Sequence, residues 1–415
     1  MNQNGKVEFN FSENLPTRHR TGGIWRSIFL AATLTGIVFL SILLLKIVND
    51  SFGYIVVEYG IHPDALAVDG VPIWELPKED LVLILQTNVT PGRFRTLVKE
   101  LPMEQRSLED ILAIINREVV EPKVAQTWTL FESIFQKQEI ETYAAENYPE
   151  GELYFKAWIN WDFITSPQSS DPLYAGIRTA ILGSLWLMGV AILFALPMGL
   201  GAAIYLEEFA SKNWLNGLIR TNINNLAGVP SIIYGILGLA VFVRALEPIT
   251  SGAVSGNGVS SATLNGRTIL SGGLTLGLLI LPIIIINAQE ALRAVPSSLR
   301  EASYGVGATK WQTVWSHVLP SAIPGIMTGS ILAFSRAFGE TAPLVVIGAS
   351  TYIVYDPTSV FSKFTALPIQ IYQWTSRPQD EFRNLAAAAI IVLLLLLLTM
   401  NAVAIFVRNR HSRRV

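Results

Sequence analysis

One stretch of this 415-residue chain places charge where nearly everything around it is apolar: Arg336-Ala-Phe-Gly-Glu340-Thr-Ala-Pro343. Charge inside a segment of membrane length is costly, so such groups face a bundle interior or a water-filled path. Arg336 and Glu340 are four residues apart, and on a helix they share one face, where they can neutralise each other. Two roles fit this spacing. One is a buried ion pair that fixes helix register. The other is a path for a small oxyanion. Guanidinium offers planar paired donors to phosphate-like oxygens. A neighbouring carboxylate can accept the proton that phosphate carries and sulfate lacks, and sulfate would leave that acceptor unpaired.

Little else in the sequence suggests catalysis. There is no cysteine, which removes disulfides, iron–sulfur clusters and thiol chemistry. His19, His62, His317 and His411 are scattered and suggest no metal site. No span carries paired carboxylates and no nucleophile motif occurs, so the reading is of no catalytic residues and no enzyme. Gly-x-x-x-x-Gly-Lys-Ser/Thr is also missing, and Gly305-Val-Gly-Ala-Thr-Lys310 is too short and ends wrongly. This chain cannot itself cradle ATP as a P-loop protein would.

The second informative stretch runs from Pro296 to Pro320. Ser298-Leu-Arg-Glu301 and Thr309-Lys-Trp-Gln312 both fit a capping box, in which a hydroxyl caps an N3 amide and the Glu or Gln reaches back. Gly305 and Gly307 between them permit a sharp reversal. Pro320 opens the next apolar segment where its missing N–H does no harm. The expectation is two short helices joined by a glycine turn against the membrane face. An ordinary amphipathic linker, in which Glu301 only caps, fits the same local pattern.

These stretches need elements to hold them. Of the residues, 51% are hydrophobic and 15% charged, which places the chain among membrane proteins. The net charge of −2 hides an asymmetry: residues 49–172 hold 21 acidic and 9 basic side chains, and the remainder 11 and 21. Two compartments are visible in that split. Ile28–Leu45 is free of charge, and at about 1.5 Å per residue it nearly crosses a hydrocarbon core of about 30 Å. No small-residue cleavage site follows it, so an uncleaved anchor is expected rather than a signal peptide. Five more charge-poor spans follow: Thr179–Leu206, Thr221–Val243, Thr268–Gln289, about Ser321–Tyr355, and Leu385–Val407. Pro197, Gly199 and Gly201, Gly228, Pro230 and Gly235, and Pro282 and Pro324 interrupt them, as suits a bundle built to move.

Segments 1–27, 206–220, 289–320 and 408–415 hold 13 Lys and Arg, against 5 in 244–267 and 356–383. The positive-inside rule then puts both termini and the Pro296–Pro320 loop in the cytoplasm and residues 49–172 outside. The expected architecture is an all-α membrane protein of six transmembrane helices. It has a tail at 1–27, a first span at 28–48, a core at 173–407 whose cytoplasmic loop is 289–320, and a basic tail at 408–415. The 49–172 insertion is expected to be mostly helical, with short strands near Tyr54–Glu58. Its helix signals are Thr90-Pro91, the capping box Ser107-Leu-Glu-Asp110, and a weaker candidate at Val124–Phe135.

Glu301-Ala302-Ser303, then Gly307 and Leu319-Pro320, resembles the EAA loop of ABC-importer permeases, with Ser303 for the third-position Ala. In that family the loop is the coupling helix seated in a cytoplasmic ATPase, which assigns coupling to Glu301, Ala302, Gly305, Gly307, Leu319 and Pro320. Arg336 to Leu344 closely resembles the A-type permease subunits of bacterial high-affinity phosphate ABC importers. So do Leu196–Phe209, Gly228–Gly235, Pro296–Gly305, Gly325–Gly329 and Ala366–Tyr372. The match covers roughly 160–407 and the first helix; about a hundred residues between Ser51 and Trp158 have no counterpart in a typical short subunit. The resemblance implies the type I importer permease fold in the bacterial inner membrane and a substrate path at Arg336, Glu340 and Thr341. It implies a C-type permease partner, a dimeric ATPase that binds ATP and Mg, and an extracytoplasmic phosphate-binding protein. It implies no cofactor or metal in this chain and no nucleic-acid partner. Sulfate or molybdate import shares the coupling loop and stays open, as does a membrane-anchored phosphate sensor, which the lack of a cytoplasmic output segment disfavours.

Overall fold

A computed structural model describes residues 15–255, 265–350 and 352–412. Most of the 1–27 tail, part of the 244–267 loop and the last residues of the 408–415 tail lie outside them. The first helix, α1 (Leu15–Asp50), leads into the insertion. There β1 (Phe52–Glu58) is followed by α2 (Lys78–Asn88), α3 (Pro91–Glu100), α4 (Leu108–Ile115), β2 (Lys123–Thr127), α5 (Leu130–Phe135), α6 (Lys137–Asn147), β3 (Glu152–Ala157) and α7 (Trp161–Thr165).

The strands form an antiparallel sheet in the order β2-β1-β3, with Ile55 opposite Thr127 and Tyr154. An all-α description therefore fails here. The run Ile55-Val56-Val57 is buried throughout, and β-branched residues pack well on a pleated surface with both faces covered. Strand β2 also takes the first half of the helix expected at Val124–Phe135. Only Leu130–Phe135 is helical, started by a Thr129–Glu132 capping box. The Thr90-Pro91 start and the Ser107–Asp110 box both stand where the sequence puts them. Leu81, Leu85, Ile111 and Ile115 form the buried core of the helical lobe. The sheet belongs to the same hydrophobic cluster as the bundle, through Trp158 and Phe163, whose ring lies 6.0 Å from that of Trp374. The insertion is thus seated on the bundle rather than hung from it.

The bundle comprises α8 (Arg178–Ile204), α9 (Trp214–Ala227), α10 (Ser231–Gly238), α11 (Glu247–Thr250), α12 (Ile269–Arg293), α13 (Ser297–Gly305), α14 (Lys310–Thr313), α15 (Leu319–Phe338), α16 (Ala342–Ile347), α17 (Leu367–Thr375) and α18 (Asp380–Ser412). Helix α12 is central, packed against α8, α9, α10 and α15. It is apolar on nearly all sides, as a fully surrounded helix should be. Helix α1 leaves its large side chains exposed and runs beside α18.

Among the described residues, five helices are long and apolar enough to cross a membrane, and six spans result if one bent pair counts as a span. That pair is where the sequence expects Thr221–Val243 to be continuous. Instead α9 and α10 meet at 105° across Gly228-Val229-Pro230, because the proline bars its predecessor from helical geometry. The span expected to reach Tyr355 likewise stops at Phe338, with Gly339 as its cap.

Candidate functional site

Two features of the bundle bring together the residues singled out by sequence. The first is the elbow at α13. This helix starts at Ser297 with Pro296 as its cap and no side-chain cap bond. The box expected at Ser298–Glu301 is therefore not formed: Ser298 already lies inside the helix, and Glu301 and Ala302 are exposed on its surface. Gly305 ends α13 in ordinary geometry, while Gly307 makes the reversal at φ +85°, where a β-carbon is strained. The Thr309–Gln312 box then forms as expected, Thr309 Oγ1 accepting from the Gln312 amide. Its helix is not a separate short element. It continues through a π turn at Val314–Val318 into α15, so Lys310–Phe338 is one rod with Leu319 and Pro320 inside it. The π turn ends two residues before Pro320, whose ring cannot serve a regular helical ladder.

Ser303, the departure from the Glu-Ala-Ala pattern, has a structural role. Its hydroxyl meets that of Thr313 at 2.9 Å, both residues being buried, and this closes the two arms of the elbow. Tyr304, Val306, Trp311 and Trp315 stay exposed around it, the two indoles stacked 5.5 Å apart.

Sequence reasoning missed what fastens this elbow. Arg300 donates to the Glu208 carboxylate at 2.7 Å and to the carbonyls of Val295 and Leu292 at 2.7 and 2.9 Å. Glu208 lies in a π turn, Tyr205–Phe209, that prolongs α8, and its side chain is only 6% exposed. Beside it Glu207 takes a two-pronged contact from Arg293 on α12 at 3.0 and 3.1 Å and another from Arg220 on α9 at 3.2 Å. Two adjacent acids thus clamp α8, α9, α12 and α13. The available signal was Glu207-Glu208 closing an apolar span on the face where cations are in excess.

The second feature is the break after α15. Arg336 Nε lies 3.5 Å from Glu340 Oε1, so the pair forms, but not on one helix as expected. Arg336 is in the last turn of α15, and Glu340 follows the Gly339 cap. The helix carbonyls favour a cation at that end. Thr341 is half-buried at the start of α16, which has Pro343 in its first turn. Helix α16 packs on α10 so closely that a β-carbon at Gly235 would stand 2.7 Å from Pro343 Cα. Tyr234, on that same helix, is within electrostatic reach of Arg336.

A membrane bundle with an exposed, clamped elbow and a charged helix break is the setting in which the comparisons fall. The profile of the binding-protein-dependent transport system inner membrane components matches residues 195–415. The chain belongs to that family. It is 32% identical over 238 residues to the phosphate transport system permease protein PstA of Yersinia pestis, covering 57% of this chain and 74% of that one. It is 35% identical over 193 residues to the probable ABC transporter permease protein YqgI of Bacillus subtilis, covering 46% of this chain. The match spans 60% of the length of the Bacillus protein. A solved bacterial alginate ABC transporter in complex with a pentasaccharide-bound periplasmic protein aligns at TM-score 0.44 and 19% identity, over 69% of this chain and 91% of that one.

Proposed function

We propose that this chain is the transmembrane permease subunit of an ATP-driven importer for inorganic phosphate. The observation that carries this reading is the exposed elbow clamped to the bundle by Arg300 and Glu208. A push on α13 reaches α8 through the Arg300–Glu208 contact and reaches the Lys310–Phe338 rod across the buried Ser303–Thr313 contact. On this reading Glu301, Ala302, Gly305, Gly307, Leu319 and Pro320 form the coupling surface for a dimeric cytoplasmic ATPase that binds ATP and Mg. Both termini are cytoplasmic, and the 49–172 insertion faces outward, where a phosphate-binding protein delivers its cargo. A C-type permease completes the path. Arg336 supplies paired donors to the anion, Glu340 reads its proton, and Thr341 stands beside them. The name of the Yersinia relative and the chemistry of this pair support phosphate over sulfate.

The test is uptake of radiolabelled phosphate in cells with and without the chain, with unlabelled sulfate and molybdate as competitors. ATP-dependent uptake that requires the chain and ignores sulfate is expected. Unchanged phosphate uptake in cells without a second system removes the substrate assignment and turns the test to sulfate and molybdate. Phosphate uptake indifferent to Glu340→Gln reduces the pair to an ion pair that sets register.

A further inference from the structure

The insertion contains a hollow for which transport gives no use. A cavity of about 380 Å³ opens where the sheet meets the helical lobe, walled by Tyr59, Trp74, Leu112, Tyr154 and Tyr174. That is the size of small-molecule sites, which pair apolar walls with a few polar groups. Lys156 lines it too, and also lines an adjoining hollow of about 320 Å³. Tyr154 and Lys156 are two residues apart on β3 and so share one face of the sheet.

The charged and phenolic side chains here are donors, and Asn116 is the other polar side chain in the wall. Lys156 is half-buried, its ammonium 5.1 Å from the centre of the Trp158 ring. Among the described residues it has no ion pair and no side-chain hydrogen bond. Burial pushes its amine below the usual lysine range, and Asp171 and Asp162 only partly restore it. Burial pushes the Tyr154 phenol up, and that of Tyr174 up to about 12, so both keep their protons at neutral pH. Neither hydroxyl has a hydrogen-bond partner among the described residues. Tyr59, by contrast, is engaged, donating to Glu152. Three donors without acceptors in one aromatic-walled cavity call for an acceptor-rich guest. Asp171 and Asp162 offset the Lys156 charge, and Arg117 in turn offsets Asp171, so the site holds a guest with one negative charge rather than two.

We propose that this cavity binds a small organic monoanion. Its head group meets Lys156, Tyr154 and Tyr174, and its planar or apolar body rests against Trp74 and Leu112. The site is separate from the anion path at Arg336 and does not depend on it.

The test uses the full chain, with its partner subunits, in lipid nanodiscs and benzoate as probe. Acetic anhydride labelling of Lys156 is followed by peptide mass spectrometry, with the exposed Lys123 as internal reference. Millimolar benzoate is expected to slow labelling of Lys156 at least fivefold and leave Lys123 unchanged. Benzylamine, benzamide and inorganic phosphate should give no protection. Trp74 is 57% exposed, so Trp74→Leu spares the fold; it should abolish protection while Lys156 still labels. The proposal is overturned if benzoate gives no protection, if benzamide or phosphate protects equally, or if protection survives Trp74→Leu. Since the readout is labelling rather than uptake, failure here leaves the transport reading untouched, and the reverse also holds.

Discussion

Replacing Arg300 by Met tests whether the elbow is clamped as described. The guanidinium is 19% exposed and the Glu208 carboxylate 6%, with 2.7 Å between them. Removing one member of a buried pair strands the other, at a cost of about 3–5 kcal/mol, whereas removing both with well-packed apolar residues is often close to neutral. Two carbonyl contacts, to Leu292 and Val295, are also lost; water reaches this end of the bundle, which holds the total near the lower bound. Arg300→Met should therefore destabilise by about 3 kcal/mol. Arg300→Met combined with Glu208→Leu should cost clearly less than the two single changes added. Unfolding of the four proteins in mixed micelles gives the cycle, and uptake measured beside ATP hydrolysis gives the functional arm. Hydrolysis that continues while uptake fails is the expected signature of a cut link. Additive single effects, within about 0.5 kcal/mol, would refute the clamp. So would an Arg300→Met protein that transports normally.

The elbow's glycines should behave differently: Gly307→Val, at φ +85°, should cost about 1–2 kcal/mol locally and lower uptake, while Gly305→Ala, with open space around it, should do neither. Ser303→Ala should cost about 1 kcal/mol because Thr313 still donates to the Thr309 carbonyl; Thr313→Val, which strands the buried Ser303 hydroxyl, should cost more in the same unfolding assay. At the helix break, Arg336→Met should reduce stability more than Glu340→Gln, since only the first leaves a carboxylate, 20% exposed, at the unfavourable end of a helix dipole. In the insertion, the Arg93 guanidinium holds the Glu118 carboxyl below the usual carboxylate range. A depressed carboxyl contributes stability above its unfolded value and loses it as pH falls through the folded one. With Arg93 40% exposed, the pair is worth about 0.5–1 kcal/mol. Glu118→Gln should remove that much of the acid-side slope, read as insertion unfolding between pH 6 and pH 3.

Signals confined to a few neighbouring residues were legible. The Ser107–Asp110 and Thr309–Gln312 boxes formed because a cap needs only its own turn, and the long apolar runs became helices because length and composition suffice. The failures share a cause in longer-range context. Val124–Thr127 reads as helix on its own but is drawn into the sheet by a partner, β1, that lies far earlier in the chain. Ser298 has the residues of a cap, yet Pro296 sets the start of the helix two positions sooner. The clamp was invisible because Glu207 and Arg293 are 86 residues apart, and Glu208 and Arg300 92. No periodicity links residues at such distances; only the packing of α8 against α12 does.

The two interrupted helices also explain each other. A free backbone group in hydrocarbon is costly, so breaks survive in a bundle only where protein or water surrounds them. The turn at Gly228–Pro230 redirects the chain into α10, and the break at Gly339–Thr341 redirects it into α16. These two short helices then meet at Gly235 and Pro343, where no larger residue than glycine fits. The two short helices thus cover a face of each other. Arg336 and Glu340 lie at the edge of this contact rather than in the middle of a smooth helix. There the end of α15 favours the cation and disfavours the carboxylate, so Glu340 depends on Arg336 for compensation. An anion that takes hold of Arg336 would weaken that compensation unless it brought a proton to share with Glu340. That requirement follows from placing the pair at a helix end, and on the proposed reading it would favour a protonated oxyanion over a bare one.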